Sequence, residues 1–354
     1  MVDLVGNDIH WLAEWETQSA VMLTWPHDSG DWGDDLTGAE SDFTSIVSVL
    51  ARYVRVLLVC RDKTHLGDIK QCLLGHHIPQ DPIVWAIAPS DDIWTRDYGP
   101  LSIYTRSGPK LIDFEFDGWG GKYPAKKDNA INSQLEALGV VSALMEDVSC
   151  VLEGGAVDSD GLGSILAGER CLIESQRNPG WTREDYERLF SENLGTTRVL
   201  WISHGMLPGD DTDGHVDTLA RFISPDTIVY QAPSNVFPSS VNDELQWLAN
   251  QLGNLRTFDG KSYRLVALPC AEGQCRNDDG WRPAGYVNFL FTNQALLIPA
   301  YGATEDEQAK TIFTELCPEH NVHSVSCSTL IRQGGSLHCA AMPIGKGCLS
   351  FAPA

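Results

Sequence analysis

Apolar and polar residues follow two different periods along the chain, and together these periods predict a mixed α/β fold. Segments in which apolar residues recur every three or four positions predict helices, and they are residues 41–53, 64–74, 132–138, 181–194, 241–252 and 305–316. Short apolar or alternating runs predict strands, and they are residues 20–25, 55–60, 83–88, 101–104, 110–116, 149–152, 164–166, 171–174, 199–202, 219–222, 228–230, 265–268, 287–291, 295–299 and 337–344.

The order of these elements departs from the strict strand–helix alternation of a doubly wound sheet. Strands often come in pairs before each helix, which indicates hairpins joined by crossover helices, that is, repeated ββαβ units. No linker rich in proline, glycine or serine divides the chain. We therefore expect residues 1–354 to form one domain with internal structural repeats that sequence identity no longer reveals.

The charge balance limits the classes of partner. The 25 lysines and arginines face 48 aspartates and glutamates, for a formal net charge of −23. Such a charge opposes binding to nucleic acid and to anionic membrane surfaces. Two explanations stay open at this point, since the charge can serve solubility or can create a field that attracts a cationic small substrate.

The amino-terminal residues and the cysteines predict a cytosolic protein. Residues 1–10 contain no basic region followed by an apolar run, and no apolar stretch reaches the length of a membrane span. The ten cysteines are scattered, so we expect reduced thiols. Only Cys270 and Cys275 lie close together, and a structural zinc site is not expected. The oligomeric state stays open, and a homodimer or a larger homo-oligomer is compatible with the sequence.

Cys339 is the candidate nucleophile. It follows Gly334 and Gly335 in the stretch Gln-Gly-Gly-Ser-Leu-His-Cys, at the start of an apolar run that predicts a buried strand. Glycines allow the backbone to adopt positive φ and to approach a ligand closely, so Gly335 is expected beside the substrate. The alternative is that Cys339 is a small buried hydrophobic residue, which is the more common role of a lone cysteine.

Three other segments carry a histidine and carboxylates in glycine-bounded contexts. They contain Asp97 in Thr-Arg-Asp-Tyr-Gly-Pro, Glu153 in Leu-Glu-Gly-Gly, and both His215 and Asp217 in Gly-His-Val-Asp. If residues 214–217 are extended, His215 and Asp217 point to the same face and share a pocket. Two alternatives stay open, a metal site at the His-x-Asp pair and an ordinary ion pair between Arg96 and Asp97.

A thiol, a histidine and two carboxylates suit a substrate that is planar, cationic and electrophilic at carbon. A guanidinium group meets all three conditions. Carboxylates match its geometry bidentately, and a nearby cation favours the thiolate form of the attacking cysteine.

Several motifs, in order from about Trp11 to Met342, resemble the agmatine deiminase and bacterial-type peptidylarginine deiminase family. They are Trp-x-Arg-Asp, Leu-Glu-Gly-Gly, the run from Asp210 to Phe222, Tyr-Val-Asn-Phe at 286–289, Gly-Gly-Ser-Leu-His-Cys, and the amino-terminal Trp-Glu and Trp-Pro-His. The resemblance implies a pentein fold, an α/β propeller of five ββαβ modules, with a cofactor-free site at its centre.

The same resemblance implies a role for each matching residue. Cys339 would be the nucleophile, His215 the general acid and base, and Asp97 with Asp217 the clamp on the guanidinium. Glu153 would orient His215 or touch the guanidinium. The residues expected along the rest of the substrate are Trp94, which would wall the alkyl channel, together with Asp210, Asp211, Gly335 and Trp119. The implied reaction converts agmatine and water to N-carbamoylputrescine and ammonia through a covalent cysteine intermediate.

Two departures from the family pattern bear on the substrate. Asp211 stands where agmatine deiminases commonly have glutamate, at a position implicated in amine recognition. The segment after Phe116 has no arginine that could hold a substrate carboxylate, so agmatine fits better than arginine. Three alternatives are kept, namely a peptidylarginine or other guanidine deiminase, an amidinotransferase, and a polyamine-binding protein that is catalytically idle.

Overall fold

The computed structural model of the protein describes residues 8–173, 176–277 and 280–350. The strands are β1 Ile9–Trp11, β2 Gln18–Thr24, β3 Arg55–Cys60, β4 Ile83–Ile87, β5 Leu101–Thr105, β6 Gly108–Glu115, β7 Leu144–Val151, β8 Val157–Ser159, β9 Ser164–Gly168, β10 Arg198–Ile202, β11 Ala220–Ser224, β12 Thr227–Gln231, β13 Arg264–Leu268, β14 Arg276–Asn277, β15 Gly280–Trp281, β16 Leu290–Phe291, β17 Ala295–Ala300, β18 Asn321–Ser326 and β19 Ala341–Gly345. The helices and helical turns are α1 Leu36–Leu50, α2 Lys63–Gly75, α3 Thr95–Tyr98, α4 Gly118–Gly121, α5 Ile131–Ala137, α6 Glu169–Ile173, α7 Arg183–Leu194, α8 Val216–Leu219, α9 Ser239–Asn254 and α10 Glu305–Leu316.

Within the described residues, five sheets share one connectivity: a hairpin, a helix, and a third strand parallel to the second. Four of these modules are β5–β6–α5–β7, β8–β9–α7–β10, β11–β12–α9–β13 and β16–β17–α10–β18. The fifth consists of β19 with β2, α1 and β3, and β4 extends its sheet. The predicted α/β propeller of five ββαβ modules is thus confirmed.

The fifth module joins distant parts of the chain. β19 pairs antiparallel with β2, with Ala341 opposite Leu23 and Ile344 opposite Ala20. β2 in turn pairs parallel with β3. Late and early segments of the chain therefore share one sheet, and this sheet closes the ring of modules.

Local sequence explains the individual elements. Five of the six residues of β3 are buried, as expected of a parallel strand that has neighbours on both edges and is covered on both faces. Helix α7 begins with a capping box in which the Thr182 and Asp185 side chains each accept from the other's backbone N–H, and it ends at Gly195 in the left-handed conformation. Helix α9 buries Leu245, Leu248 and Leu252 on one face.

Three predicted strands differ from the structure. The run 337–344 is a strand only from Ala341, because residues 337–340 form a turn that brings the preceding loop to the centre of the ring. Residues 171–173 belong to helix α6, and the true partner of β9 in its hairpin is β8; residue 174 lies outside the described residues. Of the run 287–291, only Leu290–Phe291 pairs as a strand.

None of the helices in the described part of the chain is long and apolar enough to cross a membrane.

Candidate active site

Each of the five modules is preceded by a segment that turns toward the centre of the ring, and these segments carry the candidate site residues. Asp97 lies in the helical turn before β5, Glu153 lies just before β8, and His215 and Asp217 lie at the turn before β11. Asn288 precedes β16, and Cys339 precedes β19. The repeated connectivity therefore brings residues that are far apart in sequence to equivalent positions around one pocket.

The carboxylate of Asp97 is buried and held from two sides. Its Oδ1 accepts a hydrogen bond from the Gly155 backbone N–H at 2.9 Å, and its Oδ2 accepts one from the Trp119 indole Nε1–H at 2.9 Å. Burial raises the pKa of Asp97 to about 6, against the lowering effect of His215. Arg96 does not pair with Asp97, since its guanidinium contacts Glu14 at 2.9 Å.

His215 is fixed by Glu153. The distance from His215 Nε2 to Glu153 Oε2 is 2.9 Å, and His215 Nδ1 lies 3.6 Å from Asp97 Oδ1. Burial alone would lower the pKa of His215, but Asp97, Cys171 and the hydrogen bond to Glu153 hold it well above its usual value. The imidazole is therefore placed to carry a proton at its Nδ1, the nitrogen that Glu153 does not occupy.

Glu153 has further partners that leave it little freedom. Arg177 Nε donates to both carboxylate oxygens, at 2.6 and 2.7 Å, and the Cys171 thiol donates to Oε2 at 3.3 Å. The side chains of Glu153 and Arg177 are fully buried. Of the two roles considered for Glu153, the contacts favour orientation of His215.

The donor atoms of Glu153, Cys171 and His215 lie close enough together to hold a metal ion. The site fits a metal poorly, however, because the Arg177 guanidinium already occupies both oxygens of Glu153. A second cation beside that guanidinium would meet like-charge repulsion at a fully buried position. The three groups instead satisfy one another by hydrogen bonding.

Gly155 explains the second glycine of the Leu-Glu-Gly-Gly motif. A Cβ atom at this position would lie 2.5 Å from His215 Nδ1, 2.8 Å from Asp97 Oδ1 and 3.2 Å from Asp217 Oδ2. The backbone of residue 155 thus passes between three of the candidate site residues. Any side chain there would push the histidine and the two carboxylates apart.

Cys339 lies at the end of the pocket, with 8% of its surface exposed. Its Sγ is 3.2 Å from Asn288 Nδ2, which donates to it, and 3.5 Å from Asp217 Oδ2. Burial, and then the carboxylates of Asp217 and Asp97, hold the pKa of the thiol well above its usual value. A thiolate at this position requires a nearby positive charge.

Asp217 has one oxygen bound and one free. Its Oδ2 contacts His338 Nδ1 at 2.7 Å, whereas its Oδ1 is buried and has no hydrogen-bond partner among the described residues. Burial raises the pKa of Asp217, but the hydrogen bond and charge of His338, together with the charges of His215 and Arg221, outweigh this effect and lower it. The expected extended conformation of residues 214–217 is wrong, because Asp217 lies in the helical turn α8 that His215 caps.

These groups open into a pocket of about 230 Å³. Its described lining consists of aromatic, small, polar and acidic residues, namely Asp31, Asp92, Trp94, Asp97, Trp119, Tyr123, Asp211, Thr212, Asp217, Thr218, Gln333, Gly334, Gly335 and Cys339. No lysine, arginine or histidine is among them. The described lining therefore favours a cationic ligand.

Trp94, Trp119 and Gly335, which the family resemblance places along the substrate, line this pocket. A Cβ at Gly335 would come within 2.3 Å of the Trp94 ring, so only glycine allows the backbone to lie against the indole. Trp119 has a φ of 58°, an unusual value for a residue other than glycine. This conformation accompanies the hydrogen bond from its indole to Asp97.

The two acids expected near the far end of the substrate occupy different places. Asp211 lines the pocket, and its Oδ2 accepts a hydrogen bond from the Tyr123 hydroxyl at 2.7 Å. Asp210 is not among the lining residues and instead stabilises its own loop, accepting from the backbone N–H groups of Thr212 and Gly214. Of the two acids, Asp211 lines the pocket and Asp210 does not.

Comparison with known proteins decides the family. The family model of Porphyromonas-type peptidyl-arginine deiminases matches residues 10–344. The chain belongs to this family.

Individual proteins are similar to this chain over nearly all of their length. An agmatine deiminase of Stutzerimonas stutzeri is 29% identical to this chain, over 92% of this chain and 93% of its own. A substrate-bound structure of C. jejuni agmatine deiminase is 28% identical, with a TM-score of 0.87 over 98% of this chain and 99% of its own. A Porphyromonas gingivalis protein assigned as an arginine deiminase is 38% identical, with a TM-score of 0.88 over 97% of this chain and all of its own.

Three residues that contact the site of this peptidyl-arginine deiminase family member were not assigned a role from sequence. Asn288 accepts hydrogen bonds at its Oδ1 from the backbone N–H groups of His338, at 2.8 Å, and Cys339, at 3.3 Å. Arg177 fixes Glu153, and His338 fixes Asp217. The repeated modules could have indicated Asn288. Each of the other four modules is preceded by a predicted site residue, and Asn288 lies at the corresponding position before β16. The contacts of Arg177 and His338 follow no local pattern.

Proposed function

We propose that this protein is an agmatine deiminase, which converts agmatine and water to N-carbamoylputrescine and ammonia. The observation that carries the proposal is a buried thiol, Cys339, beside two carboxylates in a pocket whose described lining includes acids but no basic side chain. A guanidinium satisfies the carboxylates of Asp97 and Asp217. An ammonium at the other end of the substrate suits the additional acidic residues that line the pocket, Asp31 and Asp211. The names of the S. stutzeri and C. jejuni relatives support the same substrate.

Binding of the substrate activates the nucleophile. In the free site the pKa of Cys339 is held high by burial and by Asp217 and Asp97. A bound guanidinium offsets the charge of both carboxylates, so it lowers the pKa of the thiol and favours the thiolate. The free oxygen Oδ1 of Asp217 accepts one of the guanidinium N–H groups. Activation therefore depends on a correctly bound cation.

The reaction then proceeds by addition and elimination in two halves. The Cys339 thiolate forms a bond to the guanidinium carbon, and the resulting tetrahedral species expels ammonia after His215 donates a proton to the departing nitrogen. This leaves an amidino-thioether on Cys339. A water molecule, deprotonated by the now neutral His215, adds to the same carbon, and breakage of the C–S bond releases the ureido product and the thiolate.

Free arginine and peptidylarginine are the alternative substrates to test, because the 38% identical relative is assigned as an arginine deiminase. Free arginine would bring a carboxylate into a pocket lined by Asp31 and Asp211. Like-charge contacts of this kind disfavour binding. The idle polyamine-binding protein is the weaker alternative, since Cys339 and His215 are both present in hydrogen-bonded positions.

We expect agmatine to be strongly preferred over arginine. The values of kcat/KM for agmatine, free arginine and a peptide that ends in arginine should differ by roughly 10²-fold or more in favour of agmatine, since each 1.4 kcal/mol is a factor of ten. In the Asp211→Asn variant we expect the agmatine value to fall roughly tenfold, the effect of one lost charged hydrogen bond. Product formation is measured as ureido compound and as ammonia.

The matched control for this experiment is Asp68→Asn, which removes the same charge from the exposed face of α2. It should leave the selectivity unchanged. Equal processing of arginine or of the peptide would refute agmatine as the preferred substrate. An unchanged agmatine value in Asp211→Asn would refute the assignment of Asp211 to the distal amine.

The Glu153→Gln variant tests proton transfer by His215. The Glu153 carboxylate helps to keep the pKa of His215 raised, so its removal lowers that pKa. Because the protonated imidazole is needed to release ammonia, activity is lost as pH rises through the pKa of His215. We therefore expect the alkaline limb of kcat to move to lower pH by about 1–3 units.

Glu169→Gln is the matched control, since Glu169 also pairs with an arginine, Arg183, but its other side-chain contact is with Ser203 and not with His215. Its pH profile should coincide with that of the wild type. An alkaline limb that does not move in Glu153→Gln would contradict the role of Glu153 in setting the protonation of His215.

A further inference from the structure

His338, the residue before the candidate nucleophile, is buried between two carboxylates. Its Nδ1 lies 2.7 Å from Asp217 Oδ2, and its Nε2 lies 2.8 Å from Glu14 Oε2. Only 1% of His338 is exposed. An ionised carboxylate can only accept hydrogen bonds, so both ring nitrogens must donate, and the ring is then an imidazolium.

The charge of Glu14 is secured on the side away from the pocket. Its Oε2 pairs with Arg96 at 2.9 Å, its Oε1 pairs with Arg221 at 3.0 Å, and the backbone N–H of Phe291 donates to Oε1 at 2.8 Å. Burial opposes ionisation of Glu14, but Arg221, His338 and Arg96 hold its pKa well below the usual value. Glu14 is therefore a fixed anion in contact with His338 Nε2.

The groups that act on the pair of His338 and Asp217 come from four of the five modules. From the elements packed around the pair, the charged and titratable residues are Glu14, Arg96, Asp97, Glu153, Asp158, His215, Arg221 and Cys339. The ring of His338 lies between Asp217 and Glu14, and it separates the pocket from the ion pairs of Glu14 with Arg96 and Arg221.

We propose that His338 is a positioning residue whose imidazolium, held by Glu14, keeps Asp217 ionised and turns its free oxygen toward the guanidinium. The inference rests on the proposed function, in which Asp217 binds that group. Asp217 lines the pocket, and while His338 occupies its Oδ2, its Oδ1 has no hydrogen-bond partner among the described residues. The positive charge of His338 also offsets the cost of keeping Asp217 anionic near Asp97 and Glu153.

The test is agmatine affinity as a function of pH, measured by calorimetry in a Cys339→Ala background so that no turnover occurs. The His338→Asn substitution keeps an N–H donor near Asp217 but removes the charge. We expect the pKa of Asp217 to rise by about 1–3 units. Affinity should then fall about tenfold for each pH unit below the raised pKa and recover at alkaline pH.

A second variant and a control complete the binding experiment. Glu14→Gln keeps the length of the side chain and should shift the pH dependence of agmatine affinity in the same direction by a smaller amount. If His338→Asn does not fold, Glu14→Gln replaces it as the test variant. His204→Asn is the matched control, because His204 is a surface histidine that also faces a glutamate, Glu244. Its profile should equal that of the parent. The proposal would be overturned if agmatine affinity in His338→Asn and Glu14→Gln showed the same pH dependence as in the parent. This holds whether the affinity equals that of the parent or is weaker by the same factor at every pH.

A measurement made without substrate tests the role of His338 independently of whether agmatine is the substrate. In protein that retains Cys339, the pH midpoint of its alkylation by iodoacetamide reports the pKa of the thiol. Loss of the positive charge in His338→Asn should raise that midpoint by about one pH unit or more, and an unchanged midpoint would overturn the role of His338. Failure of the parent to bind agmatine at any pH, together with a raised midpoint, would refute agmatine and leave the role of His338 supported.

Discussion

The Cys339→Ala variant should lose turnover of agmatine by roughly 10⁶-fold, the size of effect seen when a covalent nucleophile is removed. The covalent route has no substitute, because Sγ is the group that faces Asp217 and the open pocket. Stability should change little, since the thiol lines a cavity and its removal leaves no new void in a packed region. Affinity for agmatine should persist, because the carboxylates are untouched.

Three measurements check this expectation: ammonia release, thermal unfolding, and mass spectrometry of the protein mixed with agmatine. The amidino-thioether adduct should appear on the wild-type protein and be absent from the variant. Cys348→Ala is the matched control, because Cys348 is also a buried cysteine but does not line the pocket. Near-wild-type product formation by Cys339→Ala would refute the covalent mechanism.

The second large effect is expected from His215→Asn and Asp97→Asn, which should fail for different reasons. His215→Asn loses proton transfer, worth roughly 10²–10⁴-fold in rate, but leaves the carboxylates to bind the guanidinium. Asp97→Asn removes a charged acceptor, so the buried guanidinium is left with too few partners. The first variant should therefore bind agmatine and turn it over slowly, and the second should bind it poorly.

Affinity and rate are measured separately to distinguish the two variants. Agmatine binding is measured with each substitution combined with Cys339→Ala, and single-turnover experiments with Cys339 present follow the adduct. The adduct should persist longest where only the hydrolysis step is slowed. Retention of both wild-type affinity and wild-type rate by Asp97→Asn would show that Asp97 is not part of the guanidinium clamp.

Sequence alone predicted the parts of this protein that follow local patterns. The helices α1, α2, α5, α7, α9 and α10 all overlap predicted ones, because each shows an apolar face with the period of a helix. The least accurate bounds are those of α1, which begins at Leu36 and ends at Leu50 where residues 41–53 were predicted. The ββαβ modules were indicated because short apolar or alternating runs often come in pairs before each predicted helix. Family motifs then indicated Asp97, Asp217 and Cys339, which line one pocket in the structure, and His215 and Glu153, which are buried and join this group through the contact of His215 with Asp97.

The remaining features depend on long-range contacts that no local pattern encodes. Arg177 meets Glu153 from a segment 24 residues away, and His338 meets Glu14 across 324 residues. Both arginine and histidine would usually be exposed, and only the closed ring explains their burial. The prediction of a strand at residues 337–340 was likewise wrong. These residues form a turn, but they are all buried at the centre of the ring, so their sequence is as apolar as that of a buried strand.

The pairing of β19 with β2 has a consequence for how the protein is made. During synthesis β2 emerges early, and its edge stays uncovered until residues 341–345 follow. An exposed strand edge is a site of aggregation, so the nascent chain is vulnerable for most of its translation. Because Cys339 lies two residues before β19, the thiol reaches its carboxylate partners only when the ring closes. A partly translated chain therefore has no reactive centre, and the protein gains its chemistry in one late step.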